Sequence, residues 1–151
     1  MRLAHNIKIS VFCKPEDDYS SIMGAFLSLF PFSLEDEKVQ LEEQNVLGFN
    51  EREIRVFNAW LGRESLTNSF LKHLKERLGG AQCSRIAEEA ESRVDDELCL
   101  FIRLDKKSLE AGKYALTDRG DCFHIRIKLS VHPKRREKAV RLAHDIFSTK
   151  P

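Results

Sequence analysis

Strict alternation of apolar and polar residues marks two segments in the last third of the chain. In residues 98–104, Leu and Ile take every second position, with Phe101 and Arg103 between them. In residues 122–131, apolar side chains recur in the same way, and Arg126 is among the polar residues that separate them. A repeat of two predicts β-strands with one buried face and one face in water. The water-facing side is cationic and carries an aromatic ring, which indicates a polyanionic partner.

The rest of the chain contains further strand and helix patterns. Gly48 and Asn50 indicate a hairpin turn, and the strand after it is apolar on both faces, which favours a central position or a helix covering it. The predicted elements are strand 5–13, a helix from Pro15 to Pro31, strand 38–47, strand 53–62, helix 64–78 with Ser65 as N-cap, a break at Gly79 and Gly80, helix 81–93, strand 98–104, a helical turn at 106–111, strand 122–131 and helix 133–148. This β-α-β-β-α-α-β-β-α order predicts an α+β fold: a mostly antiparallel sheet with helices packed on one face.

Length and composition predict a single domain over residues 1–151. The 42% apolar content is typical of a packed fold. No segment approaches the roughly 18 apolar residues of a membrane span, and the N-terminus lacks the apolar core of a signal peptide. We therefore expect a cytoplasmic protein without a membrane partner. The four cysteines have no C-x-x-C spacing, so we expect buried or half-buried thiols rather than a zinc site.

Charge is distributed unevenly along the chain. The formal net charge is +1, but residues 1–100 carry a net −6 and residues 101–151 a net +7. Such asymmetry indicates an electropositive surface for an anionic partner, and chance clustering of solvated charges is the alternative explanation.

Three cations, Lys134, Arg135 and Arg136, fall in the first turn of the predicted last helix. The helix dipole disfavours cations there by roughly 0.3–1 kcal/mol each. Cations beside free backbone N–H groups attract phosphate through both terms, which predicts an anion site. Solvation of the three side chains is the alternative.

Other basic residues extend this prediction to a surface. Some lie on the outer face of the predicted strands and would supply charge there, and others lie in the connection between the last two strands. An aromatic ring among them would stack an RNA base, unless a helix or loop covers it. The candidate RNA-binding residues are Arg103, Lys106, Lys107, Arg119, Arg126, Lys128, Lys134, Arg135 and Arg136, with Phe101 for base stacking.

Catalytic motifs are missing from the sequence. It contains no phosphate-binding glycine loop and no G-x-S-x-G, and its five histidines form no H-x-x-x-H pair. The acidic run at residues 95–97 is compatible with a metal-dependent nuclease, although a solvated acidic turn before a strand is the simpler explanation. We predict no catalytic residue, no metal and no cofactor.

Several motifs give the chain a resemblance to a known family. They are the strand end Arg103-Leu104-Asp105-Lys106, Gly112, Leu116-Thr117-Asp118, the strand at 122–131, Pro133-Lys134, the opening HNIKISVFCKPEDD and the GFN at 48–50. In these the chain resembles a family of small archaeal proteins described as RNA-binding domains and as predicted exosome-associated subunits. The resemblance implies RNA binding and a fold similar to the ribosomal protein that contacts 5S RNA. It implies binding roles at the matching positions Arg103, Lys106 and Lys134.

Together these patterns predict a non-catalytic RNA-binding protein that contacts phosphates through a C-terminal basic surface. Association with the exosome or another RNA-processing assembly is expected from the resemblance. Docking of the basic surface on an acidic protein partner is the alternative, and a metal-dependent nuclease is the third. The oligomeric state stays open, a dimer included.

Overall fold

Five strands form one antiparallel sheet in the computed structural model, which describes residues 1–148 apart from the side chain of Phe49. The strands are β1 (Ala4–Cys13), β2 (Leu41–Leu47), β3 (Glu53–Leu61), β4 (Cys99–Asp105) and β5 (Cys122–Leu129). Their order across the sheet is β2-β3-β1-β5-β4. The helices are α1 (Tyr19–Ser28), α2 (Glu64–Glu88), α3 (Ala90–Arg93), α4 (Lys106–Glu110) and α5 (Arg136–Ser148), with a short 3₁₀ turn at Phe49–Glu51. The predicted α+β fold with an antiparallel sheet is confirmed.

The alternating side chains divide the sheet into two faces. On β1, Ile7 lies between Leu61 of β3 and Ile127 of β5 in the backbone register, and all three are completely buried. Residues two positions further along each strand continue this apolar layer, and α1, α2 and α5 contact the sheet. The core therefore lies between the helices and one face of the sheet. The opposite face carries the polar members of each alternation.

β3 lies between β1 and β2, which agrees with the central position predicted for a strand that is apolar on both faces. The predicted hairpin from β2 to β3 is present, and the N–H of Gly48 donates to the carbonyl of Arg52 at 2.6 Å. The helical turn predicted at 106–111 is α4.

Two predicted helix starts and one predicted N-cap are wrong, whereas the predicted start of the second helix at residue 64 is confirmed. α1 begins at Tyr19 rather than Pro15, because the Asp18 carboxylate accepts from the backbone N–H groups of Ser20 and Ser21 and so acts as the N-cap. Arg63, not Ser65, is the N-cap residue of α2. The last helix begins at residue 136 rather than 133.

A glycine interrupts the long second helix, as the sequence predicted. Gly79 has φ 81° and ψ 168°, a conformation outside the helical region, although helical hydrogen bonding resumes after it. Only glycine adopts this region without strain. The first predicted helix is therefore the first arm of α2, and the second, predicted at 81–93, comprises the second arm of α2 and α3. None of the described helices has the length and apolar character needed to cross a membrane.

Candidate nucleic-acid interface

The sheet face that points away from the helices carries aromatic rings and cations in a row across four strands. The members of this row, each paired with the next in the backbone register, are Trp60, Lys8, Arg126 and Phe101. Trp60 is 43% exposed and Phe101 39% exposed, so no helix covers either ring. We call this side of the sheet the open face.

Trp60 holds both cations of the row. Nζ of Lys8 lies 4.9 Å from the centroid of the Trp60 ring, and Cζ of Arg126 lies 5.4 Å from it, which are cation–π distances. Neither cation forms an ion pair within residues 1–148, and neither side chain donates a hydrogen bond there. Their positive charges are therefore ordered by an aromatic ring but are not neutralised by a carboxylate.

Arg103 on β4 and Lys128 on β5 lie next to this row, one on each side of it. Nη1 of Arg103 donates to the carbonyl of Asp118 at 3.2 Å, and Nζ of Lys128 donates to the carbonyl of Glu97 at 2.6 Å. Because both acceptors are neutral, these hydrogen bonds orient the cations and leave their charge uncompensated. The structure thus brings together the predicted residues Arg103, Arg126 and Lys128.

The open face is polarised from one edge of the sheet to the other. A third ring, Phe12 of β1, is 43% exposed, and its centroid lies 6.4 Å from that of His124 on β5. Glu42, the acid that β2 presents on the open face, is paired with Asn58 at the far edge. Positive charge and exposed rings therefore concentrate on β1, β5, β4 and the end of β3.

Lys106 lies in the protein interior rather than in the surface loop where the sequence prediction put it. Its side chain is 7% exposed, and Nζ lies 2.9 Å from Oδ2 of Asp17 and 2.7 Å from Oδ1 of Asp121. Burial alone would lower the pKa of Lys106, but hydrogen bonds to Asp121 and Asp17 outweigh it and raise that pKa. The lysine is therefore a charged structural crosslink without a free ammonium for phosphate.

Lys107 and Arg119 line one cleft beside this crosslink. The cleft is also lined by Asp17, Asp105 and Asp121. Hydrogen bonds from the hydroxyl and N–H of Ser108 lower the pKa of Asp105 most, and the charges of Arg119 and Lys107 lower it further. Their charge is thus partly offset by acids, in contrast to the charge of the open face.

The three basic residues at the start of the last helix, Lys134, Arg135 and Arg136, do not line the cleft and differ in their surroundings. Lys134 and Arg135 precede α5 and are exposed. Nη1 of Arg136 lies 2.8 Å from Oε1 of Glu91, and its Nε donates to the carbonyl of Val94 at 3.2 Å. The prediction that all three occupy the first helical turn is wrong, because α5 begins only at Arg136.

The predicted basic residues therefore occupy three places. One group lies on the open face, one lines the cleft before β5, and one follows its end. β5 has 8 residues, and at about 3.4 Å per residue the second and third groups are roughly 25 Å apart. The single continuous area that the sequence suggested is replaced by a central face with two outlying groups.

The four cysteines are poorly suited to act as reactive thiols. All four cysteines are free and buried. Burial raises the pKa of each thiol, that of Cys122 to about 11. In residues 1–148, no cluster of three His, Cys, Asp or Glu side chains is arranged to hold a metal ion.

Sequence reasoning missed Trp60 and Lys8 as members of the site. Lys8 lies at an outer position of β1, but Trp60 lies in a strand that is apolar on both faces, and only the pairing of β1 with β3 makes them neighbours. The two strands are separated by 39 residues, so a period of two within each strand does not reveal this register. A pattern with Trp, Lys and Arg on outer strand positions was the available signal.

Comparison with known proteins identifies a matching family, a relative in sequence and similar solved structures. The model of the RNA_binding family, described as RNA binding, matches residues 6–130. RNA-binding protein PAB1135 of Pyrococcus abyssi is 28% identical over 142 residues, which cover 94% of this chain and 92% of that protein. Protein AF2318 from Archaeoglobus fulgidus is similar in structure, with a TM-score of 0.84, 26% identity, and coverage of 95% of this chain and 99% of its own. Mth689, a DUF54 protein from Methanothermobacter thermautotrophicus, has a TM-score of 0.77, 26% identity, and coverage of 96% and 98%.

Fold and site together define an α+β protein whose antiparallel sheet is covered by helices on one face and basic and aromatic on the other. The family match extends over most of the chain, including all five strands except the first two residues of β1. The chain belongs to the RNA_binding family.

Proposed function

We propose that this protein binds RNA, without catalysing a reaction, through the open face of its sheet. The observation that carries the proposal is the pair of uncompensated cations, Lys8 and Arg126, held against the exposed ring of Trp60. Arg103 and Lys128 add two further charges on the same face. Family membership and the similarity to a relative named RNA-binding protein support the same partner.

Attraction to the phosphate backbone supplies the binding energy in this proposal. A cation that neutralises a phosphate releases a condensed counterion, so the logarithm of affinity falls with the logarithm of salt by about 0.7 per phosphate on a single strand. Four cations on the open face predict a slope of about −3. Lys107 and Arg119 are proposed as peripheral contacts, because acids in their cleft offset their charge. Lys134 and Arg135 are proposed to reach only RNA that extends beyond the sheet.

The test is fluorescence anisotropy of labelled RNA at several salt concentrations. Arg126→Gln is expected to weaken binding and to reduce the salt slope by about 0.7. Arg141→Gln removes an equal charge from an exposed position of α5 on the helix side and is the matched control, with the slope unchanged. A wild-type affinity that does not respond to salt would overturn the proposal.

Association with the exosome or another RNA-processing assembly stays a prediction of the family resemblance. Co-purification that disappears after RNase treatment indicates a link through RNA. Co-purification that survives the treatment indicates a direct protein contact, the alternative in which the basic face docks on an acidic partner. Labelled RNA that stays intact with Mg²⁺ or Mn²⁺ supports the non-catalytic role, and cleavage would contradict it.

A further inference from the structure

We infer that the RNA on the open face is single-stranded, with unpaired bases stacked on Trp60 and Phe101. The inference rests on the proposed function and adds to it the form of the RNA. Phosphate attraction alone would accept any RNA, whereas exposed rings accept only bases whose faces are free.

The two rings are placed for separate bases. Trp60 and Phe101 stand at opposite ends of the row, on β3 and β4, with β1 and β5 between them. With strands about 4.8 Å apart, three strand spacings separate the rings by roughly 14 Å. That span exceeds the step of one nucleotide, so a short stretch of chain would cross the sheet from one ring to the other. Lys8 and Arg126 lie between the rings, where its phosphates would pass.

The exposure of three aromatic rings on the open face favours a ligand with a flat apolar surface. Aromatic rings exposed to water cost free energy, and this face has Trp60, Phe101 and Phe12 exposed by 43%, 39% and 43%. Stacking of a base on such a ring is largely independent of sequence, because every base has an aromatic face. Cations beside each ring strengthen the match to a nucleotide, which combines a flat base with a negative phosphate.

An RNA duplex fits the same surface poorly. Its bases are stacked on one another, so their faces are covered, and it offers a protein its phosphates and the shallow minor groove with 2′-hydroxyls. A duplex on the open face would therefore contact Arg103, Arg126 and Lys128 but leave the rings without partners. The observed placement of two cations between exposed rings favours unpaired RNA.

Trp60 itself reports on the proposed contact. It is the only tryptophan in the sequence, so the intrinsic fluorescence of the protein at tryptophan wavelengths comes from this position. Titration with a single-stranded oligonucleotide without secondary structure is expected to quench that fluorescence. A duplex of the same length is made by annealing the complementary strand. This duplex is expected to bind at least tenfold more weakly than the single strand and to leave the fluorescence nearly unchanged.

Variants separate the rings from the charges. Trp60→Leu and Phe101→Leu keep an apolar side chain and remove the ring, and each is expected to weaken single-strand binding roughly tenfold with little effect on duplex binding. Trp60→Phe keeps a ring and is expected to retain most of the affinity. Leu27→Ala alters a side chain that is 44% exposed on α1, on the helix side, and is the control, with no change. Circular dichroism verifies that each variant is folded.

The outcomes distinguish this inference from the proposed function. Equal binding of both forms, or single-strand binding without a change in tryptophan fluorescence, would overturn the stacking of unpaired bases and leave RNA binding standing. Binding of neither form would overturn the proposed function as well.

Discussion

Nζ of Lys106, at the start of α4, lies 2.9 Å from Oδ2 of Asp17, in the loop after β1, across 89 positions of sequence. Oδ1 of Asp121, just before β5, lies 2.7 Å from the same ammonium. Oδ2 of Asp121 lies 2.9 Å from Nζ of Lys14. One buried lysine thus joins the ends of three chain segments. Removal of Lys106 would take from Asp17 its ion pair and leave Asp121 paired with Lys14 alone, so we expect the main effect on stability rather than on RNA binding.

We predict that Lys106→Met lowers the free energy of unfolding by about 2 kcal/mol. Breaking a buried ion pair typically costs about 3–5 kcal/mol, and here the cost is reduced because Asp17 and Asp121 keep 22% and 38% exposure. Urea unfolding measures the change. Lys107→Met, at the exposed neighbouring position, is the control and should stay within about 0.5 kcal/mol of wild type. Loss of RNA affinity by folded Lys106→Met with unchanged stability would instead assign this lysine a phosphate.

Acid should destabilise the protein in a defined pH range. Hydrogen bonds from Ser108 lower the pKa of Asp105. Burial would raise the pKa of Asp121, but hydrogen bonds from Lys106 and Lys14 outweigh it and lower that pKa. Since both pKa values are lower in the folded state, the stabilisation is present above the ordinary pKa of 3.8 and is lost as pH falls below it.

The measurement is the urea midpoint between pH 7 and pH 2.5. We expect a nearly constant midpoint down to about pH 5 and a progressive fall below it. Asp105→Asn cannot ionise at this position, so its midpoint should start lower and depend less on pH. A variant that follows the wild-type curve in parallel would show that Asp105 carries none of the effect.

The break in α2 provides a backbone test with a neighbouring control. At Gly79, φ is 81°, which strains any residue with a Cβ atom, whereas Gly80 has an ordinary φ and open space around the position of a Cβ. Gly79→Ala should therefore lower the free energy of unfolding by about 1–2 kcal/mol. Gly80→Ala should be neutral or stabilising by up to about 1 kcal/mol, because alanine reduces the entropy of the unfolded chain. Equal effects of the two changes in urea unfolding would contradict this account of the break.

Local periodicity predicted most of the fold, because a strand or helix with one buried face repeats its apolar residues in its own sequence. The strands at β4 and β5 were predicted within a few residues for that reason. Helix starts were predicted less well. Asp18 and Arg136 mark starts through capping and through contacts with distant residues, which composition at the first turn does not reveal.

The positions of the candidate site residues were likewise predicted only where they follow from local periodicity. Arg103, Arg126 and Lys128 were predicted correctly to be on one face, because their position follows from alternation within a strand. Their role in RNA binding stays a prediction. The surface position of Lys106 was wrong, since only tertiary structure brings Asp17 and Asp121 to it. Trp60 entered the site through strand pairing, which sequence patterns within a strand do not contain.

Charge reversal on the two faces of the molecule tests the central claim most directly. Lys8→Glu with Arg126→Glu changes the open face, and Lys72→Glu with Arg141→Glu makes the same change in net charge at exposed positions on α2 and α5. Both double variants are compared with wild type by anisotropy of labelled single-stranded RNA at one salt concentration. We predict that the open-face pair lowers affinity by about a hundredfold and the helix-side pair by about threefold or less. Equal losses from both pairs, or a larger loss from the helix-side pair, would contradict RNA binding on the open face.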